Sequence, residues 1–328
     1  MNVNKNFVTL SVKRLSLFFV ILFLSSKVMS DNSFYYKKDN RSAYIYAGMV
    51  NVKANELVYC QPSGGCPVDY KLSQLIWESK NAAMLTLGLK NSFSKNSYLN
   101  VEAKVLADKG KGVMDDYDWQ YINLDWSDWS HHEDTELKKS TALDINLNLN
   151  FYSHKKTNMY FLAGYRESNW GWESRGGSYI YSTVPTLYRD QTGSFAQGLR
   201  VISYEQQFSM PYLGLKYEVE LDKWSFNFQY NYSNQVHASS IDHHYLRSLI
   251  FEDEFKKSVM NAYKLGIGYK FNKKYRMDIR YEARNFEEAR GNTTYINSNT
   301  GAIIGGCVNC AGIDNLNQSL SMGVSANF

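Results

Sequence analysis

Two pairs of polar residues could carry out chemistry. Asp116 and Asp118 are separated by one residue, and so are Asp242 and His244. Side chains at positions i and i+2 of a strand point to the same face, so the members of each pair face the same way. A carboxylate beside a histidine fixes the ring tautomer and stabilises the imidazolium, and two adjacent carboxylates hold water and share protons. The pairs are therefore candidate halves of a site for general acid–base catalysis.

Both pairs also have an ordinary explanation, because Asp-x-Asp and Asp-x-His spacings are common in polar loops and at barrel rims. A third polar run, His131-His132-Glu133-Asp134, contains residue types that bind metals. Nothing around this run fixes a ligand geometry. We therefore interpret it as a solvated loop and expect no metal site.

The elements that position these residues are predicted by strict alternation of apolar and polar side chains. Residues 143–151, 224–232 and 320–328 alternate without interruption. Successive strand side chains point to opposite faces, and a barrel in lipid needs one apolar face. Further strands are predicted at about 44–52, 81–90, 98–107, 159–167, 202–219, 263–271 and 275–285. The sequence therefore predicts an all-β fold, a transmembrane antiparallel β-barrel of about ten strands.

Connections between the predicted strands alternate in length. Short polar turns are predicted at 94–97, 153–158, 220–223 and 272–274, and long loops at about 53–78, 108–138, 170–200, 235–261 and 286–315. This asymmetry is typical of periplasmic turns and long extracellular loops. The terminal Phe328 lies in the last alternating strand and resembles the terminal signal of bacterial outer-membrane barrels. Both candidate catalytic pairs fall in long loops, which predicts a site at one end of the barrel.

The first thirty residues indicate export. Basic residues precede an apolar run at 15–24, and short side chains follow up to Ser30. This is the pattern of a secretory signal peptide, so we predict a signal peptide at 1–30 and one barrel domain at 31–328. The chain has 15% aromatic residues, 26 Tyr and only 4 Pro, a balance that favours strands. Its net charge of +4, with basic and acidic residues interspersed, gives no support for nucleic-acid binding.

Four cysteines lie in the predicted loops, Cys60 and Cys66 in the first and Cys307 and Cys310 in the last. The export route is oxidising, so disulfides are favoured over a zinc site despite the Cys-x-x-Cys spacing of the second pair. Four cysteines allow three pairings. Local pairing is our prediction, although the sequence does not choose among the three.

Eight stretches in order along the chain carry a resemblance to a known family. They are Glu56-Leu57-Val58-Tyr59, Lys71-Leu72-Ser73-Gln74-Leu75 with Trp77, Asp116-Tyr117-Asp118-Trp119, His132 with Asp134-Thr135 and Leu137, Gly176-Gly177-Ser178-Tyr179-Ile180-Tyr181-Ser182, Gly193-Ser194-Phe195 leading to Arg200, Met210-Pro211-Tyr212 with Gly214-Leu215, and Ser239-Ser240 before Asp242 and His244. In these residues the chain resembles the omptins, ten-stranded outer-membrane endoproteases of the aspartate/histidine type. The resemblance runs through nearly the whole exported chain.

The resemblance implies a catalytic acid pair at Asp116 and Asp118 and a catalytic Asp-His pair at Asp242 and His244. It implies that His244 activates water held between the pairs and that Asp242 orients the imidazole. Asp116 and Asp118 would position the water and the tetrahedral intermediate, so no acyl-enzyme or cofactor is needed. It also implies a bacterial outer-membrane enzyme whose active site faces the cell exterior.

The resemblance also implies a substrate preference. Omptins favour cleavage beside basic residues, and the acidic pocket residue of their first loop is matched by Glu56. A second acidic pocket position, two residues before the catalytic Asp, aligns with Ser240. Loss of one carboxylate weakens electrostatic selection of Arg or Lys, so a strict dibasic preference is not expected.

Lipopolysaccharide is the activating lipid that the resemblance implies. The matching positions on the outer wall are Tyr165, Glu167, Arg200 and Lys256. Asn169 stands where the family has another Arg, and its amide cannot form a charge-assisted fork with phosphate, which predicts weaker lipid binding. Tyr165 has an alternative role in the aromatic belt at the membrane surface.

Two other functions compete with a surface protease acting on peptides and proteins with basic residues. The barrel could serve mainly as an adhesin or invasion factor with weak or lost proteolysis, since one fold can host either function. Retention of all four catalytic residue types favours the protease. A diffusion pore is less favoured, because side chains fill most of the lumen of a barrel of about ten strands.

Overall fold

The computed structural model describes residues 41–61, 65–67, 69–94 and 96–328. The predicted signal peptide at 1–30 lies outside the described residues. Within them, the strands are β1 (Arg41–Tyr59), β2 (Lys71–Ser92), β3 (Tyr98–Asp108), β4 (Lys111–Asp118), β5 (Asp128–His154), β6 (Thr157–Arg175), β7 (Ser178–Tyr181), β8 (Gln191–Ser194), β9 (Arg200–Leu221), β10 (Trp224–His244), β11 (Leu249–Lys270), β12 (Tyr275–Asn297) and β13 (Ile303–Asn327). A short 3-10 turn, Tyr245–Arg247, joins β10 to β11.

The strands close into one antiparallel ring. Each pairs with its neighbour in the order β1, β2, β3 and β4, β5, β6, β9, β10, β11, β12, β13, and β13 pairs back with β1. β3 and β4 together occupy one strand position in the barrel wall, because both pair with β2 on one side and with β5 on the other. β7 and β8 form a hairpin in the connection between β6 and β9. The predicted barrel of about ten strands is confirmed.

The strands are longer than predicted, and the bounds of the predicted long loops are wrong. β10 and β11 continue through most of 235–261, and β12 and β13 through most of 286–315. The prediction relied on an apolar outer face, which a strand needs only where it contacts lipid. On β1 the outward side chains change from Ile45 and Met49 to Asn51 and Lys53 while the hydrogen-bonded pairing with β13 continues.

A belt of exposed apolar side chains surrounds the end of the barrel that carries the short turns. It includes Ile45, Met49, Leu87, Leu89, Leu149, Phe151, Phe161, Leu213, Leu215, Phe226, Phe228, Leu265, Ile267, Ile279, Leu320, Met322 and Val324. Such a belt is the lipid-facing surface of a transmembrane barrel. In the described part of the chain, no helix has the length and apolarity to cross a membrane.

At the level of this belt the lumen is filled by paired charges. Glu282 lies 2.6 Å from the Lys104 ammonium and 2.5 Å from the Arg284 guanidinium. Glu102 lies 3.6 Å from the ammonium groups of both Lys104 and Lys264. Buried charges are tolerated when they are paired, so this network can occupy the inside of the barrel.

Above the belt the interior becomes aromatic and apolar. Trp77, Trp172 and Tyr204 form a cluster with ring centroids 5.7 to 6.3 Å apart. Met114 and Phe208 are also fully buried members of this core. The cluster forms a packed floor across the barrel, and the candidate catalytic residues lie directly above it.

Candidate active site

The predicted acid pair lies at the end of β4. Asp116 and Asp118 are separated by Tyr117, and Asp116 pairs with buried Leu75, so both carboxyls face the barrel interior. The Ser73 hydroxyl on β2 lies 3.5 Å from Asp116 Oδ1 and donates to it. Burial raises the pKa of Asp116, and the charge of Asp118 raises it further. The pair therefore binds a proton more readily than two separate carboxylates would.

The predicted Asp-His pair lies at the end of β10 and is buried. The Asp242 carboxylate contacts His244 Nε2, and the Arg247 guanidinium contacts Nδ1 of the same ring. Since a guanidinium can only donate, Nδ1 is the acceptor nitrogen, and Nε2, which contacts Asp242, carries the ring proton. The Phe251 ring meets the imidazole edge to face at 5.2 Å. These contacts hold the ring in one orientation.

The two pairs lie on opposite walls of one cleft and act on each other electrostatically. Burial raises the pKa of Asp118, whereas the charges of Arg247 and a protonated His244 lower it. The hairpin formed by β7 and β8 brings Tyr181 to the same place. Burial raises the pKa of Tyr181 to about 12, and the charges of Asp116 and Asp118 contribute to the rise. The structure thus brings all four predicted catalytic residues into one cleft.

Glu56, the predicted pocket residue, lies in the same cleft. It pairs with Leu75 of β2, which in turn pairs with Asp116, so the three side chains form one inward row. Glu56 is 6% exposed, and its Oε2 has no hydrogen-bond partner among the described residues. Burial raises the pKa of Glu56, with further contributions from the charges of Asp242 and Asp253 and from a hydrogen bond with Asp242. Glu56 is therefore a buried acid without a compensating cation.

Ser240, which the resemblance aligns with a second pocket acid, is directly opposite a carboxylate on the next strand. It pairs with Asp253 of β11, and its hydroxyl donates a hydrogen bond of 2.7 Å to Asp253 Oδ2. Burial raises the pKa of Asp253 to about 6, although hydrogen bonds from Thr293 and Ser240 act in the opposite direction. The pocket wall thus carries an acid at a position that the sequence comparison did not consider.

Three residues of the cleft were missed by the sequence analysis: Tyr181, Arg247 and Asp253. Tyr181 lies in the 176–182 stretch that resembles the family, but its position over the acid pair depends on how the connection between β6 and β9 folds back. Arg247 and Asp253 follow His244 within ten residues. A predicted β10–β11 hairpin centred on 246–247 would have paired Ser240 with Asp253. That turn contains no Gly, Pro, Asn or Asp, which are the usual turn signals.

Three of the four predicted lipopolysaccharide residues lie near one another on the outer wall. Tyr165 is 45% exposed, and its hydroxyl donates a hydrogen bond of 3.3 Å to Glu167. Strand pairing runs from Glu167 through Ser209 and His237 to Lys256, so these side chains form one outward row just above the belt. This row offers a carboxylate, an imidazole and an ammonium group at the membrane surface.

Arg200 does not join that row. It lies nine residues before Ser209 on β9, or about 30 Å along the strand. Its guanidinium pairs with Glu173 and lies 4.3 Å from the centroid of the Tyr245 ring. The structure therefore separates Arg200 from Tyr165, Glu167 and Lys256.

The cysteines are paired locally, Cys60 with Cys66 and Cys307 with Cys310. The Cα atoms are 6.3 and 5.9 Å apart, within the usual range for a disulfide. Both disulfides border an open cavity of about 470 Å³ beside the catalytic cleft, which Tyr295 also lines. The first and last loops are thus stiffened where they meet.

The run at 131–134 was expected to be a solvated loop, and this expectation is wrong. It lies within β5, where His132 is fully buried. The His132 ring makes hydrogen bonds with Ser130 at 2.9 Å and with the Gly176 carbonyl, and His131 Nδ1 lies 2.7 Å from Asp115. Among the residues that the structure describes, no group of three or more His, Cys, Asp or Glu could hold a metal ion.

Comparison with known proteins agrees with this geometry. The family model described as the omptin family matches residues 37–328. The chain belongs to the omptin family. It is 31% identical to the plasminogen activator of Yersinia pestis over 86% of this chain and 87% of that protein. It is 30% identical to the outer membrane protease IcsP of Shigella flexneri over 88% of this chain and 91% of that one.

The fold comparison gives the same result. The crystal structure of the outer membrane protease OmpT from Escherichia coli matches with a TM-score of 0.84 and 27% identity. The match covers 91% of this chain and all of that one. This omptin is therefore an outer-membrane β-barrel protease.

Proposed function

We propose that this omptin is an endopeptidase that cleaves peptides beside basic residues, with water activated between Asp242–His244 and Asp116–Asp118. The observation that carries the proposal is the meeting of both pairs in one acidic cleft. Neither pair alone supplies a general base, a carboxylate that orients this base, and a second carboxyl pair that can bind a proton. Together they supply all three functions without a nucleophilic Ser or Cys.

His244 is the general base. Its protonated Nε2 contacts the Asp242 carboxylate, which holds the ring in place and stabilises the imidazolium that forms. Nδ1 is then the nitrogen that accepts a proton from water. Arg247 donates to Nδ1 in the resting structure, so its guanidinium must move aside when water and substrate enter. The displaced guanidinium is then free to contact the substrate carbonyl.

The acid pair holds the water and later the tetrahedral intermediate. Burial and mutual repulsion raise the pKa of Asp116, so the pair takes up a proton more readily than two separate carboxylates would. One carboxylate can accept a hydrogen bond from water while the protonated partner donates to the developing oxyanion. His244 then returns its proton to the leaving amine.

Basic side chains of the substrate are selected by the negative potential of the cleft. Glu56 supplies a buried carboxylate with an unused oxygen, and the resemblance to the family places it in the substrate pocket. A guanidinium or ammonium entering the cleft would offset the repulsion among these acids. The cleft lies at the end of the barrel opposite the short turns, which supports an active site facing the cell exterior.

Lipopolysaccharide is proposed as the activating lipid, bound on the outer wall at Tyr165, Glu167 and Lys256. His237 lies between Glu167 and Lys256 in the same outward row and adds a second basic group. Arg200 is too far along β9 to bind the same headgroup. Adding lipopolysaccharide to detergent-refolded protein is expected to raise its peptidase activity, and full activity without it would contradict this part of the proposal.

The proposed protease function is tested by digesting a peptide library with refolded protein in the presence of lipopolysaccharide. Mass spectrometry identifies the cleavage sites. His244→Ala and Asp116→Ala are each expected to lower kcat by about 100- to 10,000-fold, the usual contribution of general acid–base groups. Heat-modifiable migration on a gel shows that each variant barrel is folded. His243→Ala, on the same strand with its ring on the outer face, is the matched control.

The competing function is an adhesin or invasion factor with weak or lost proteolysis. Cuts beside Arg or Lys that vanish in His244→Ala and persist in His243→Ala would exclude it. Equal cleavage by the wild type and His244→Ala would contradict the catalytic assignment. No cleavage by the folded wild type in the presence of lipopolysaccharide would favour the adhesin.

A further inference from the structure

Ser240 and Asp253 form a buried pair that the catalytic mechanism does not use. They are 13 residues apart in the chain, lie directly opposite each other on β10 and β11, and are 2% and 5% exposed. The Ser240 hydroxyl holds Asp253 Oδ2 at 2.7 Å. Asp253 Oδ1 has no hydrogen bond of ordinary geometry among the described residues. Ser240 thus anchors Oδ2, and Thr293, which pairs with Asp253 from β12, is a second hydrogen-bond donor to the carboxylate.

Asp253 on β11 and Glu56 on β1 influence the pKa values of the same buried groups. Burial raises the pKa of Glu56, and the charge of Asp253 raises it further. Both carboxylates also contribute to the raised pKa of Tyr204, for which burial is the main cause. Tyr204 is fully buried and pairs with Asp242. The two acids therefore line one pocket above the aromatic floor, beside the Asp-His pair.

This pocket has an excess of negative charge. Glu56 Oε2 is buried and has no hydrogen-bond partner in the described part of the chain. Within the same part, no lysine or arginine is among the groups that act most strongly on Glu56 or Asp253. A buried carboxylate is costly unless a cation or hydrogen-bond donors compensate it. Neither acid faces a cation of the chain among these groups, so a cation from outside the chain can compensate their charge.

We infer that Asp253 is a specificity-determining residue that, together with Glu56, binds the guanidinium or ammonium group of the substrate's basic side chain. The carboxylate that Ser240 does not supply on β10 is supplied from the neighbouring strand β11. Ser240 is a positioning residue, because its hydrogen bond fixes Oδ2 of the Asp253 carboxylate. This inference rests on the proposed function, and it restores the second pocket acid that the sequence analysis counted as lost.

The test measures binding rather than cleavage, so it does not depend on the catalytic mechanism. The parent is full-length His244→Ala protein in detergent with lipopolysaccharide, titrated calorimetrically with two peptides. The peptides differ only in carrying arginine or citrulline, its uncharged isostere, at the position before the intended cleavage site. Asp253→Asn is then introduced, since Asn keeps the volume and can still accept the Ser240 hydrogen bond.

The parent is expected to bind the arginine peptide about 10- to 100-fold more tightly than the citrulline peptide, as for a charge-assisted hydrogen bond in a buried site. Asp253→Asn is expected to lower this ratio by about tenfold and to leave citrulline binding unchanged. Moving the carboxylate to the opposite strand, in Ser240→Asp with Asp253→Asn, is expected to restore most of the ratio. Glu254→Gln, one residue along β11 on the outer face, is the matched control and should leave the ratio of arginine to citrulline affinity unchanged.

Ser240→Ala provides a second variant that leaves both carboxylates in place. It removes only the orienting hydroxyl and is expected to lower the ratio by about threefold, the effect of one hydrogen bond. The inference would be overturned if the ratio of arginine to citrulline affinity is unchanged in Asp253→Asn, or if it falls equally in Glu254→Gln. This holds even if the wild type is an active protease. Equal binding of the two peptides by the parent would also overturn it. Failure of the proposed function would instead appear as absent cleavage by the wild type.

Discussion

At the level of the apolar belt, side chains inside the barrel are charged and paired, while the outer face is apolar. Above the belt the arrangement is reversed: the outer face is polar, and the inside is an aromatic core topped by carboxylates. Glu282 in the lower region contacts three cations. Glu56 and Asp253 in the upper region have acids among their strongest neighbours. The same residue types therefore serve opposite purposes in the two regions.

The difference follows from what each region must bind. At the membrane level no ligand is expected inside the barrel, so every buried charge needs a partner within the chain. In the upper region the acids have the substrate as their partner. Their mutual repulsion favours binding of a basic side chain, because the positive charge relieves it. An active site that sacrifices stability in this way is a common finding for enzymes.

The largest expected effect comes from breaking the charge network of the lower region. Glu282→Ala leaves Lys104, Lys264 and Arg284 buried with one carboxylate fewer, which is expected to destabilise the barrel by about 3–5 kcal/mol. Urea unfolding of the refolded protein measures this loss. The specific activity of the folded fraction should remain near that of the wild type, because the network lies below the cleft.

Glu220→Ala is the control for that prediction. Glu220 forms a 2.8 Å ion pair with Lys270 near a short turn, and its side chain is 50% exposed. An exposed pair contributes about 0–1 kcal/mol, so this variant should unfold near the wild-type midpoint. Equal losses in Glu282→Ala and Glu220→Ala would show that the interior network has no special role.

A stability change of opposite sign is expected from the upper region. Burial and Asp118 raise the folded-state pKa of Asp116, so its ionisation at neutral pH opposes folding. Asp116→Asn removes this charge and is expected to stabilise the barrel by about 1 kcal/mol while abolishing activity. Unfolding midpoints compared at neutral pH provide the measurement. A destabilised Asp116→Asn would mean that the acid pair is structural as well as catalytic.

The smallest expected effect concerns the pH dependence of substrate selection. The pKa of Asp253 is raised to about 6 by burial, and that of Glu56 is also raised, so mild acid removes negative charge from the pocket that these two carboxylates line. Between about pH 7.5 and about pH 5.5, KM for an arginine peptide should rise about three- to tenfold, as expected when an attractive charge is lost.

A citrulline peptide is the control for that titration, since its side chain carries no charge. Its KM should stay nearly constant over the same range, and any change in kcat should be the same for both peptides, because the same catalytic groups act on both. Parallel changes in KM for the two peptides would show that the pocket charge does not select arginine.

The membrane-level region was predicted well from the sequence. Alternation in 224–232 and 320–328 identifies strands because lipid forces one face to be apolar, and the short turns follow from the same pattern. Above the belt this constraint disappears. The outer faces of β10 and β11 are polar there, so strand pairing continues without an alternating signal, and the upper halves of these strands were taken for loops.

The catalytic residue types and their i, i+2 spacing are properties of the sequence, and spacing within a strand suffices to put Asp116 beside Asp118 and Asp242 beside His244. The meeting of the two pairs, the position of Arg247 on His244 and the pairing of Ser240 with Asp253 were decided by the tertiary structure. The first and the last depend on the register between strands, which local sequence patterns do not encode. The contact of Arg247 depends on the 3-10 turn that follows His244.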